Sequence, residues 1–74
     1  NPSTNISYSL ASSGYVSLKV YDLLGQQVAT LVEGNRLAGS YQVRLDAADL
    51  SSGMYFYQLQ AGGQVFNRKM TLLK

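Results

Sequence analysis

The amino-acid sequence predicts an all-β fold, an immunoglobulin-like antiparallel β-sandwich of six to seven short strands. First, apolar and polar residues alternate at a period of two along six segments, the pattern of half-buried strands. Second, six tyrosines and seven glycines accompany only 14% charged residues, a composition typical of β-sheet. Third, turn residues separate the segments at a spacing of about 8–12 residues, as in sandwiches. With 74 residues, the chain forms one domain with a thin two-layer core.

The first two predicted strands show the clearest alternation. Segment 5–10 places its isoleucine, tyrosine and leucine on one face and its polar residues on the other. Residues 11–14 (A-S-S-G) are typical of a turn. Segment 15–22 then directs two valines and a leucine inward, whereas Tyr15 and Tyr21 face outward. These two segments therefore each present one face to a shared core.

The third strand is less regular. Residues 22–25 (D-L-L-G) are typical of a tight turn whose glycine adopts a positive φ. Segment 26–32 follows, but its apolar residues do not alternate strictly, which predicts a β-bulge, with a short helix as the alternative. Residues 33–38 (E-G-N-R-L-A) are predicted to form a longer loop.

The second half of the chain contains three further predicted strands. Segments 39–46 and 53–61 each place aromatic and aliphatic residues on one face. Two consecutive glycines at 62–63 predict a two-residue hairpin that leads into segment 64–72. In that last strand Arg68 interrupts an otherwise apolar face.

Residues 50–55 (L-S-S-G-M-Y) have the spacing of a tyrosine corner. In this arrangement, a tyrosine near the start of a strand donates its hydroxyl to the backbone a few residues upstream. Here Leu50 would plug the core, Gly53 would allow a sharp turn, and Tyr55 would clamp it. The alternative is that Tyr55 is simply a core aromatic.

The composition argues against catalysis. The chain has no cysteine and no histidine, so it has neither a thiolate nor the commonest general base, and its serines cannot form a triad. Asp22 is expected to be a turn residue and Asp49 to cap the loop before Leu50. Asp46 and Asp49 together have too few oxygens for a hard cation, so no metal or cofactor is expected. A net charge of +2 falls far short of a nucleic-acid surface, so no nucleic-acid partner is expected.

Two surface features suggest binding. Tyr15 and Tyr21 face the same side of one strand and are possible ligand-stacking residues, which leaves a carbohydrate-binding module as one alternative. A structural or assembly role, with copies pairing edge to edge, is another. The last ten residues contain three basic residues and no acid. Lysine on an outer strand can protect an edge from aggregation, or the strand can serve as a recognition tail; the residues alone favour neither.

Taken together, several stretches resemble the C-terminal sorting domain of type IX secretion substrates, a family of the Bacteroidetes and neighbouring phyla. The chain is also similar to the immunoglobulin-like domain of the flagellar hook-capping protein. The resemblance spans essentially all of residues 1–74. The stretches that carry it are residues 1–4, 6–10, 20–25, 53–55, 68–70 and 72–74.

This resemblance implies a non-catalytic secretion and surface-attachment signal at the end of a larger secreted protein. Its implied partners are the outer-membrane secretion machinery, a sortase-like peptidase and a covalently linked upstream cargo domain, and its implied location is the cell surface or medium, reached through the periplasm. The family's G-x-Y element falls on Gly53 and Tyr55, and its K-x-x-x-x-K element on Lys69 and Lys74. The family's opening stretch is longer than residues 1–4, which implies that a first strand or a linker is missing. A missing strand would leave an exposed edge, to be filled by preceding residues or by another copy.

Overall fold

A computed structural model describes residues 3–73 and confirms the all-β prediction. Those residues contain no helix that is long and apolar enough to cross a membrane. The strands are β1 (Ser3–Leu10), β2 (Gly14–Tyr21), β3 (Gln27–Arg36), β4 (Gly39–Asp46), β5 (Gly53–Ala61) and β6 (Gln64–Leu72).

The six strands form two antiparallel sheets that enclose the core. One sheet consists of β1 and β4, and the other has the order β3-β2-β5-β6. The chain therefore changes sheet after β1, after β3 and after β4, as expected when two layers share one interior. The layers are unequal, since two strands lie over four.

The core is centred on β2, which pairs with β3 on one side and β5 on the other. The inward side chains of β2, Val16, Leu18 and Val20, are at most 1% exposed. From the opposite sheet, Tyr8 stacks on Tyr41 with 5.2 Å between the ring centroids. As the alternation predicts, four of the six tyrosines lie on inward faces; they are Tyr8, Tyr41, Tyr55 and Tyr57.

The bulge predicted in the third strand is confirmed, but the loop predicted over residues 33–38 is wrong. The β2–β3 register shifts between Leu18 and Lys19 and again between Val20 and Tyr21, so two residues of β3 are left unopposed. The strand then continues to Arg36, because residues 33–36 pair with residues 14–17 of β2. Only two residues connect β3 to β4.

Candidate recognition site

The tyrosine corner predicted before β5 is confirmed. The Tyr55 hydroxyl donates a hydrogen bond to the carbonyl of Ser51 at 2.8 Å, and the side chain is 5% exposed. Gly53 has a φ of +148°, a conformation that L side chains rarely adopt. Leu50 packs against the cluster that contains Tyr55. The corner therefore fixes where β5 begins.

A second tyrosine clamp lies before β4, and the sequence analysis missed it. The Tyr41 hydroxyl donates to the carbonyl of Leu37, also four residues upstream, and Gly39 has the same φ of +148° as Gly53. The signal was available, because G-x-Y occurs twice, at residues 39–41 and 53–55. Of the three strands that follow a change of sheet, β4 and β5 thus start with the same arrangement of glycine and tyrosine.

Tyr55→Phe is expected to lower the free energy of unfolding by about 1 kcal/mol, and by more if the part-buried Ser51 carbonyl finds no other donor. Chemical denaturation of the two proteins measures this difference. Tyr57→Phe is the matched control. Tyr57 lies on the same strand and the same face, but its hydroxyl makes no hydrogen bond within residues 3–73. Equal stability of Tyr55→Phe and wild type would contradict a stabilising corner.

The turn between β2 and β3 lies beside this corner. The carboxylate of Asp22 accepts hydrogen bonds from the backbone N–H groups of Leu24 and Gln26, each at 2.9 Å. These two hydrogen bonds stabilise the conformation of the turn. This conformation leaves Leu23 63% and Leu24 85% exposed. Residues 22–24 and 51–55 line one shallow surface pocket of about 210 Å³. Two stretches that lie 29 residues apart in sequence therefore form one continuous surface.

The final strand, β6, is an edge strand that, among residues 3–73, pairs only with β5. Lys69 is exposed and lies directly opposite Phe56, which in turn lies opposite Tyr21. Because directly opposed residues share a face of the sheet, these three side chains form a row on the outer face. The predicted recognition residue Lys74 lies outside the described residues.

The three predicted recognition residues that the structure describes do not form one cluster. Tyr55 points into the core, whereas Lys69 is one register position away and points to the outer face. Gly53 lies opposite Leu72 at the end of β6. Tyr55 therefore stabilises the tyrosine corner, whereas the charged side chain of Lys69 is exposed on the outer face of the same sheet.

Tyr15 and Tyr21 share the outer face of β2, as predicted, but they are six residues apart, or about 20 Å along a strand. Tyr15 is 55% exposed. Its phenol pKa lies above the usual value, because it is partly desolvated at the sheet surface and because the negative charge of the Glu33 carboxylate disfavours the phenolate. The two rings are too far apart to stack on one sugar ring.

Most of the acidic side chains hold the local structure. Asp22 closes its turn, the carboxylate of Asp46 accepts a hydrogen bond from the N–H of Ala48 at 3.0 Å, and Glu33 lies 3.9 Å from the ammonium of Lys19. Across residues 3–73, no three acidic side chains come close enough to hold a metal ion. The surface chemistry of the site is therefore that of exposed leucines, aromatic side chains and a lysine.

Comparison with known protein families gives a match over almost the whole chain. A family described as "Secretion system C-terminal sorting domain" matches residues 1–72. No curated protein and no solved structure shows significant similarity to the chain. The match covers all six strands, the turn at residues 22–25, the tyrosine corner and Lys69.

Proposed function

From the premise that this chain belongs to the family of secretion-system C-terminal sorting domains, we propose that it is a non-catalytic module at the end of a larger exported protein. The family acts as a C-terminal sorting signal for type IX secretion, and its substrates are secreted or held at the cell surface. The observation that carries the proposal is the family match over residues 1–72. In this proposal, the sandwich presents β6 to the secretion machinery.

The proposed recognition residues are Lys69, Lys74, Gly53 and Tyr55. Lys69 is exposed on an edge strand, where a partner can approach without displacing another strand. Gly53 and Tyr55 act indirectly, since they set the conformation of the corner that borders the exposed Leu23 and Leu24. Exposed apolar side chains grouped on one surface are a mark of a protein-docking site.

The proposed partners follow the same reasoning. The sorting-domain family implies contact with the secretion machinery. We assign this contact to an outer-membrane component met after passage through the periplasm, followed by a sortase-like peptidase that separates the domain from its cargo. The free edges of β3, β4 and β6 also offer sites for self-association.

The absence of catalysis is also part of the proposal. The chain contains no histidine or cysteine, and three of its four carboxylates already accept hydrogen bonds or pair with lysine. Apart from Glu33, these groups serve turns rather than a cleft. This arrangement supports a binding module over an enzyme.

Replacing both Lys69 and Lys74 with alanine is expected to lower surface export of a fused cargo at least severalfold. The variant is expected to stay within about 0.5 kcal/mol of the wild-type stability, because exposed charges contribute little to folding. The measurement is the amount of cargo at the cell surface of a bacterium with a type IX secretion system, together with denaturation of the isolated domain.

The matched control is Lys19→Ala, which removes a lysine from the outer face of the same sheet and leaves β6 unchanged. Export of this control should equal that of the wild type. If the double variant is exported normally, the proposed role of the two lysines is wrong. If Lys19→Ala is impaired equally, the effect comes from total charge and not from position.

A further inference from the structure

The sandwich is open along one side, where β1 lies over the four-stranded sheet. Two adjoining depressions, each with a volume of about 340 Å³, run along the second half of β1 and the turn after it. Both are lined by Ser9, Leu59 and Phe66, so they form one continuous groove. The wall of this groove is the edge of β1, and its floor is the inner face of β5 and β6. We refer to it as the β1 groove.

The wall presents unpaired backbone groups. Within residues 3–73, β1 pairs only with β4. Along an antiparallel strand, every second residue directs its N–H and C=O groups away from the partner strand. The edge of β1 that faces the groove therefore carries free donors and acceptors, the template on which an extended peptide adds as a further strand.

The floor is apolar but incompletely covered. Phe66 lies opposite Leu59 and shares its inward face, yet 47% of Phe66 is exposed whereas Leu59 is 8% exposed. The cause is the unequal width of the layers, because β1 does not extend over β6. An added strand beside β1 would cover Phe66 and bury its ring.

The floor of the β1 groove contains one charged side chain. Arg68 is the only charged residue that lines either part of the groove, and it lies on the inward face of β6, opposite Tyr57. Its guanidinium has no ion-pair or hydrogen-bond partner in the described chain. A guanidinium can form two parallel hydrogen bonds with a carboxylate. The groove is therefore complementary to a strand that has an acidic side chain between apolar ones.

We propose that the β1 groove binds an extended peptide segment of a separate protein by strand addition, with an acidic side chain of that peptide paired to Arg68. The groove begins at Ser7 and extends past Leu10 to Ser12, at the end of β1 away from Ser3, where the chain enters the strand. A segment that approaches from that open end reaches Phe66 first and Arg68 next.

The probe is a fluorescently labelled heptapeptide of threonine with valine at the second and sixth positions and aspartate at the fourth. Its alternation directs valine, aspartate and valine to one face in either strand direction. Fluorescence polarisation with the 74-residue chain is expected to show saturable binding. Changing the aspartate to asparagine is expected to weaken binding about fivefold, since a charge-assisted pair is lost in a partly exposed site.

Variants of the protein test whether Arg68 is the group that pairs with the acidic side chain of the peptide. Arg68→Ala should weaken binding of the aspartate peptide about fivefold and leave the asparagine peptide unaffected. Arg44→Ala, which removes an exposed arginine from the outer face of the other sheet, should bind like the wild type. Arg68→Glu should reject the aspartate peptide and bind a version with lysine at the fourth position. Because Arg68 and Lys69 lie on opposite faces, loss of peptide binding and loss of export are separable outcomes.

Three results would overturn the inference. The first is no saturable binding to a chain that unfolds cooperatively. The second is concentration-dependent dimerisation in light scattering that the peptide cannot reverse, since a second copy then fills the groove. The third is peptide binding to the 74-residue chain but not to the full-length precursor, which would mean that preceding residues occupy the groove.

Discussion

Deleting residues 65–74 from a cargo fusion is expected to abolish export of the cargo to the cell surface. The deletion removes all but one residue of β6 and with it Lys69 and Lys74. It also removes Leu72, which is 6% exposed in the core cluster around Tyr55, and leaves β5 as an unprotected edge. The deletion thus removes both the proposed recognition residues and the strand that exposes them. The measurement is surface-exposed cargo relative to the intact fusion.

If the truncated fusion is displayed normally at the cell surface, β6 is not the sorting signal. Because the deletion has two consequences, it must be compared with the double lysine variant, which keeps the strand. Loss of export in both points to the lysines themselves. Loss in the deletion alone indicates that the strand acts through its backbone or through the corner that it supports. Total cargo in the cell extract shows whether degradation accounts for missing surface protein.

The strands whose bounds the sequence predicted accurately are those that begin or end at a glycine turn. The bounds of β4, β5 and β6 agree with the prediction, since Gly39, Gly53 and the 62–63 turn all have positive φ and mark where each strand begins or ends. The end of β3 was missed because its last residues pair only with β2 at an exposed edge. Residues 33–36 (E-G-N-R) contain no apolar side chain, so the alternation of apolar and polar residues disappears there and the sequence resembles that of a loop.

The corner could be predicted from local spacing, but the surfaces could not. Tyr55 and Ser51 are four residues apart, so their hydrogen bond depends on the nearby chain alone. The row of Tyr21, Phe56 and Lys69 depends on the register of three strands, which no single segment encodes. The β1 groove depends on the difference in width between two sheets, and it appears only after the strands are assigned to layers.

Leu18→Asp is expected to unfold the isolated domain and to prevent export even though β6 remains in the chain. Leu18 is fully buried at the centre of β2. Truncating such a leucine alone costs about 3 kcal/mol, and placing a carboxylate there without a partner costs several more. A domain of this size has only about 4–11 kcal/mol of stability in total. Circular dichroism of the purified domain measures folding, and surface-exposed cargo measures export.

The matched control is Leu37→Asp, the same chemical change at a side chain that is 75% exposed in the connection before β4. This variant should fold and be exported like the wild type, because the carbonyl that binds Tyr41 belongs to the backbone and is retained. If the unfolded Leu18→Asp fusion reaches the surface as efficiently as the control, then the machinery reads the last residues as a linear peptide. Failure of Leu18→Asp alone would mean that the two sheets must assemble before β6 can be recognised, because only pairing with β5 holds Lys69 on the outer face beside Phe56.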